Sequence, residues 1–400
     1  MKNFITSLGI ICFCTTGYAD SDEKRKYTKI NVTSMQQDSI IQSPAKAKLF
    51  NMDVMLRAGF QADSMGSDNP MNRMHLDEAR VVLHGDYNDR LSYRVRFRLN
   101  SSFGRTSQDN ASRALDHAFI RYKFGKQNDW AVTLGKQSAM VGSYEFENNP
   151  IYEYKFSDYV GSVLNLFVVA GTLSYTVNNN HAVHAQVYNT TNDRFGDHLQ
   201  NNGFQAGSLQ ASATPMGAYF TWTGNFMERK LQTKWSYNSS QFAKSHTNQS
   251  ISLANKFKTN KQTIYLDLQH TNLAVDHAML ASSVINTFYG NTGENNTLSE
   301  DVVYQSAILR YDQFLTKTWE IALKGAYETA SQQNNEELGN NFRTNYTYFA
   351  ALQYKPYQNQ DLRFFAGYVG NSTKFASVLE RENQQFNRLT FGAYFTIPVL

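Results

Sequence analysis

The sequence predicts an all-β fold, a transmembrane antiparallel β-barrel of about sixteen strands with short periplasmic turns and long extracellular loops. Three observations carry this. In Leu91–Asn100, LSYRVRFRLN, the residues Leu91, Tyr93, Val95, Phe97 and Leu99 fall on one face of a strand, while Arg94, Arg96 and Arg98 fall on the other. Side chains in a strand alternate with a period of two, so this is an oily face backed by three cations, suited to a wall between lipid and water. The same run also fits a half-buried sandwich strand, so the second observation matters more: connection lengths alternate between short and long along the chain. The third is composition: 41% hydrophobic and 14% aromatic residues combine with a mean hydropathy of −0.51, as expected when half of each strand faces water.

Residues 1–19 read as a secretory signal peptide: Lys2 opens it, Phe4 to Phe13 form an apolar core, and Gly17-Tyr18-Ala19 precede a cut at Asp20. Both cysteines, Cys12 and Cys14, lie in this leader, so the processed chain is expected to lack disulfides and thiolate chemistry. Residues 20–46, polar and without sustained periodicity, read as a flexible periplasmic extension, and 47–400 as the barrel.

The first strand is expected over Phe50–Asp63, with Met52, Val54, Leu56, Ala58 and Phe60 opposed to Asp53 and Arg57. Leu76–Tyr87 follows, with Ala79, Val81 and Leu83 opposite Glu78, Arg80, His84 and Asp86. Next come the arginine strand and Leu115–Phe124, whose Ala118, Ile120 and Tyr122 oppose Arg121 and Lys123. Late strands repeat the scheme, with Trp319, Ile321 and Leu323 against Glu320 and Lys324, and Leu389, Phe391 and Phe395 against Arg388, Thr390 and Tyr394. Short connections are expected at 88–90, 125–129, 178–180, 259–261, 315–318 and 356–360. Long ones are expected at 63–73, 102–114, 138–166, 190–207, 273–301, 330–342 and 372–385. Trp130, Trp222, Trp235, Trp319 and Tyr354 sit near strand ends, where aromatic girdles form at the membrane interfaces.

Catalytic and cofactor signatures are weak. Gly135-Lys136-Gln137-Ser138 has the end of a phosphate-binding loop, but Trp130 stands where that motif needs glycine. His181 and His184 fall on opposite strand faces and make a poor metal pair. His246, Asn248 and Ser250 form a thin hydrolase constellation without an oxyanion signature. No cofactor, metal or catalytic group is expected, nor nucleic-acid binding, since a formal charge of +4 is small and dispersed.

The chemistry therefore falls to the lumen. Arg57, Arg80, Arg94, Arg96, Arg98, Arg121 and Lys123 are the candidate pore-lining anion contacts, because guanidinium forks match phosphate and carboxylate oxygens. Two arrangements stand open at this level: a positive strip along one wall, or a cross-lumen salt-bridge network. The segment 138–166, with Tyr144, Glu145, Phe146, Glu147 and Tyr152, is long, aromatic and acidic. It either folds into the barrel as a constriction or packs over a neighbouring subunit.

Glu78-Ala79-Arg80, Gly85, Tyr93-Arg94, Asp116-His117-Ala118-Phe119 and Leu134-Gly135-Lys136-Gln137 resemble the N-terminal barrel block of the phosphate-selective porin O/P family. The resemblance is good over Met74–Gln137 and weak at the final strand RLTFGAYF. It implies a sixteen-stranded, trimeric outer-membrane anion channel with an arginine ladder, inserted by the barrel-assembly machinery and contacting outer-membrane lipid. On this reading the chain passes small hydrophilic or anionic solutes, phosphate among them. The alternatives are an outer-membrane barrel enzyme acting on lipid or glycan, and a structural or adhesive barrel.

Overall fold

A computed structural model describes residues 49–65, 70–106, 108–148 and 150–399. The signal-peptide and N-terminal-extension readings lie outside these residues. Sixteen strands form one closed antiparallel barrel: β1 (Asn51–Met65), β2 (Met71–Asp86), β3 (Leu91–Arg98), β4 (Leu115–Phe124), β5 (Trp130–Ser138), β6 (Phe167–Thr176), β7 (His181–Asn189), β8 (Met216–Phe226), β9 (Leu231–Gln241), β10 (Thr247–Lys258), β11 (Gln262–Val275), β12 (Glu300–Phe314), β13 (Trp319–Gln332), β14 (Arg343–Tyr354), β15 (Arg363–Phe375) and β16 (Gln384–Pro398). Each strand pairs with its sequence neighbours. β1 closes the ring on β16, from Asp53 opposite Pro398 to Met65 opposite Phe386. Closure leaves no unpaired strand edge, the condition for a sheet to sit in hydrocarbon.

The alternation seen in the sequence sets the two faces. Ile120 is 56% exposed, Leu134 53% and Phe391 52%, all on the outer wall, whereas Arg80, Lys324 and Tyr394 on the inner face are each 5% or less. An oily exterior around a polar interior fits a lipid-embedded barrel. At the short-turn end, Trp130 stacks against Tyr175 at 4.4 Å and Trp319 against Tyr354 at 4.9 Å, forming part of an aromatic ring. Among the described residues no helix is long and apolar enough to cross a membrane.

Connections at one end are short: 87–90, 125–129, 177–180, 227–230, 259–261, 315–318 and 355–362. Those at the other end include 99–114, 139–166, 190–215 and 276–299. Two departures from expectation occur. The anticipated long loop at 63–73 is mostly strand, because β1 and β2 run on to Met65 and from Met71. The turns 227–230 and 242–246 escape the sequence reading. Met227, Glu228 and Arg229 all take left-handed backbone (φ 50°, 57° and 67°). That geometry, costing roughly 1–2 kcal/mol per non-glycine residue, is normally signalled by Gly or Asn, and the signal is missing here.

Two register shifts shape the lumen. On the β1–β2 ladder Arg57 faces Glu78 and Ala58 faces Leu76, leaving Asp77 without a cross-strand partner. On the β3–β4 ladder Arg96 faces His117 and Phe97 faces Leu115, leaving Asp116 likewise unopposed. Each bulge turns one extra carboxylate toward the interior.

Candidate functional site

The interior is organised by the segment 139–166, which carries the short helix α1 (Tyr144–Glu147), a 3₁₀ turn at Pro150–Tyr152 and a π turn at Tyr159–Val163. Its descent begins where Gly142 meets the wall. A Cβ there would lie 2.4 Å from the Lys234 carbonyl oxygen and 2.8 Å from that of Ser252, so only glycine admits this approach. The Gly142 N–H donates to Ser236 Oγ at 2.8 Å. Ser143 Oγ caps α1 by accepting from the Phe146 N–H, and itself donates to Asp267 Oδ2 at 2.8 Å. Asp267 also accepts the Glu145 N–H at 2.9 Å. A carboxylate facing the first turn suits the positive end of a helix.

Beyond α1 the loop is held by buried charge. Lys324 donates to Glu145, to Glu153 Oε2 at 3.0 Å and to the Lys155 carbonyl at 2.6 Å. Arg310 reaches Glu153 and the Tyr152 carbonyl. The side chains of Lys324, Glu145 and Glu153 are fully inaccessible. Burial pushes the Glu153 carboxyl up, but Arg310 and Lys324 more than offset this and hold it below its ordinary range. The Asp158 and Tyr159 amides both donate to Glu328 at 2.8 Å. Around these pairs Ile151, Tyr152 and Tyr154 pack with Val82, Phe349, Phe365 and Tyr394 from the inner wall.

Several predicted residues belong to this anchorage. Arg57, read as an anion contact, is buried, and its Nη1 donates to the carbonyls of Pro150, Ile151 and Glu153 at 3.3, 2.9 and 2.7 Å. It clamps the loop: one nitrogen serves three carbonyls, Nε lies 3.6 Å from Asp77, and only 7% of the side chain is accessible. Glu145 is an anchor for Lys324, Tyr144 lies under Lys256 Nζ at 4.1 Å, and the Tyr152 hydroxyl donates to Asp361. Arg310, Arg363 and Asp361 were not singled out from sequence. For Arg310 the signal was present, since Ile308, Arg310 and Asp312 alternate with the exposed Leu309.

Between the loop and the β2–β6 wall lies a cavity of about 300 Å³. Arg80, Arg96, Arg98, Arg121 and Lys234 line it, with Glu78 and the loop residues Phe146 and Glu147. Arg94 and Lys123 are not part of its lining. Arg80 Nη1, Arg96 Nε and Arg98 Nε converge on Asp116 at 2.5, 3.1 and 2.9 Å, Arg80 Nε also bonds Glu78 at 2.7 Å, and Lys234 bonds Glu147 at 2.5 Å. Five cations thus meet three acids, two of which, Glu78 and Asp116, lie on the arginines' own wall. Arg121 makes no ion pair or side-chain hydrogen bond among the described residues.

The three residues of the hydrolase constellation each bond outside it. His246 faces Glu300 at 3.0 Å, Asn248 faces His277 at 3.2 Å, and Ser250 faces Thr271 at 2.9 Å. His181 stacks on Trp222 while His184 bonds Ser174, on opposite faces as expected. Among the described residues no group of three or more His, Cys, Asp or Glu is placed to hold a metal.

A closed sixteen-stranded barrel, oily outside and ionic within, is a porin of the bacterial outer membrane. The model of the phosphate-selective porin O and P family matches residues 50–397, and the chain belongs to that family. Known structures agree on the fold. The outer-membrane channel DcaP of Acinetobacter baumannii superposes with a TM-score of 0.60 at 11% identity, covering 87% of this chain and 97% of that one. An anion-selective porin from Comamonas acidovorans gives 0.55 at 9% identity, covering 87% and 99%. A trimer form of Vibrio cholerae OmpT gives 0.53 at 12% identity, covering 88% and 100%. No curated protein sequence matches the chain.

Proposed function

We propose that this porin is a passive, anion-preferring diffusion channel for small hydrophilic solutes, phosphate among them, with segment 139–166 as its constriction and the Arg80, Arg96, Arg98 and Arg121 wall as its filter. One observation carries the reading: five cations line a cavity of about 300 Å³ beside the loop, and only three acids, Glu78, Asp116 and Glu147, bond to them. A charged constriction in a water-filled hole is sufficient for selectivity, so no cofactor and no catalytic step is invoked. The family and fold are those of a channel, and the bonding of His246, Asn248 and Ser250 to partners outside their trio favours a channel over an enzyme. The trimer form of the Vibrio cholerae neighbour supports a homotrimer here as well; insertion into lipid by the barrel-assembly machinery is part of the same proposal.

The test is single-channel recording in planar bilayers across a KCl gradient. A reversal potential on the anion side is expected, and it should move toward zero when Arg94, Arg96 and Arg98 are replaced together by alanine. Arg121→Gln is the cleaner single change, because it leaves no carboxylate stranded. For an ion passing about 5 Å from that charge in a watery lumen, Coulomb's law gives about 0.8 kcal/mol, or roughly fourfold in ion occupancy. Cation preference in the parent channel, or selectivity indifferent to these substitutions, refutes the assignment. Mass measurement of the detergent-solubilised protein tests the homotrimer.

A further inference from the structure

The cavity beside the loop is not lined as a filter for bare inorganic ions would be. Beside its arginines stand four phenyl rings, Phe119 and Phe167 on the wall and Phe146 and Phe156 on the loop. Phe146 and Phe167 lie 5.6 Å apart, and the Arg96 guanidinium sits 5.2 Å above the Phe167 ring. Phe119 and Arg121 project from the same face of β4, two residues and about 6.6 Å apart along the strand. The unpaired cation and an apolar surface are thus presented together.

We propose that this constriction prefers monocyclic aromatic carboxylates over inorganic and small aliphatic anions, the carboxylate meeting Arg121 while the ring lies against the phenyl groups. The proposal rests on the anion-channel reading and narrows it. A hydrated inorganic anion squeezed against phenyl rings loses water with no donor to replace it on that side. A flat aromatic acid turns carbon to those rings and keeps its oxygens on the guanidinium, whose fork geometry matches them. The cavity, at about 300 Å³, lies at the small end of the range for small-molecule sites, which suits one ring better than a fused pair.

The experiment uses the full-length protein in planar bilayers with chloride, acetate and benzoate as probes. Reversal potentials first establish the KCl selectivity; cation preference there removes the anion reading, and the proposal with it. With anion preference in place, bi-ionic potentials give the benzoate-to-acetate permeability ratio. We expect it to exceed the ratio of the free-solution mobilities by about two- to tenfold, the range of an ordinary aromatic contact. Phe119→Ala combined with Phe146→Ala should bring the ratio back toward the mobility ratio, and Phe119→Leu with Phe146→Leu should fall between. A parent ratio at or below that of the mobilities overturns the proposal while leaving the anion channel intact. So does a raised ratio that the double alanine variant fails to lower.

Discussion

Replacing Lys324 with methionine removes one charge from the buried cluster that holds the inward segment 139–166 while keeping the side-chain volume. Lys324 is the shared partner of Glu145 and Glu153, and all three are inaccessible to solvent. Breaking a buried ion pair by deleting one member costs about 3–5 kcal/mol, because the remaining charge stays desolvated. The low end applies here: Glu153 keeps Arg310 and Asn148, and Glu145 keeps Ser157. About 3 kcal/mol at 1.4 kcal/mol per decade is roughly a hundredfold rise in the population of the released loop. The sheet ladder does not depend on this contact, so the effect should be local opening and not loss of the barrel. A cysteine at Ile151, which is fully buried against the inner wall, reports the opening. With Cys12 and Cys14 replaced by serine, its labelling by a water-soluble thiol reagent should accelerate about a hundredfold in the methionine variant. Adding Glu145→Gln should recover part of the protection by removing the stranded charge. Labelling within about twofold of the parent would refute the idea that this cluster holds the loop.

Three further outcomes follow from the same geometry. Gly142→Ala places a methyl group 2.4 Å from the Lys234 carbonyl oxygen, so the loop must lift, and single-channel conductance should change while far-UV circular dichroism does not. Asp116→Asn removes the acid shared by Arg80, Arg96 and Arg98; anion preference should rise and thermal stability fall by about 3–5 kcal/mol, read from the KCl reversal potential and the unfolding temperature. Glu153, with its folded pKa depressed, stabilises the docked loop above its unfolded value and loses that contribution as pH falls through the folded one. The Glu153 contribution should therefore be lost below about pH 4, where conductance turns noisy.

Local residue order is enough to specify the wall of the barrel. Pleating makes a strand's two faces a matter of odd and even positions, so Ile120, Leu389 and Phe391 could be assigned to lipid, and Arg80 and Lys324 to the lumen, from local order alone. Turn chemistry located the short connections wherever Gly, Asn or Pro marked them, and missed 227–230, where Met227, Glu228 and Arg229 bend left-handed without such residues. What happens inside was decided by tertiary structure. Arg57 and Arg121 look alike in sequence, each an inward arginine among apolar neighbours, yet one grips three loop carbonyls and the other faces the cavity unpaired. Asp116 reaches three arginines only because a bulge breaks the alternation, and Glu153 meets Lys324 across 171 residues of chain. Which charges meet across a closed ring depends on curvature, register and the path of one loop, and no local pattern carries that information.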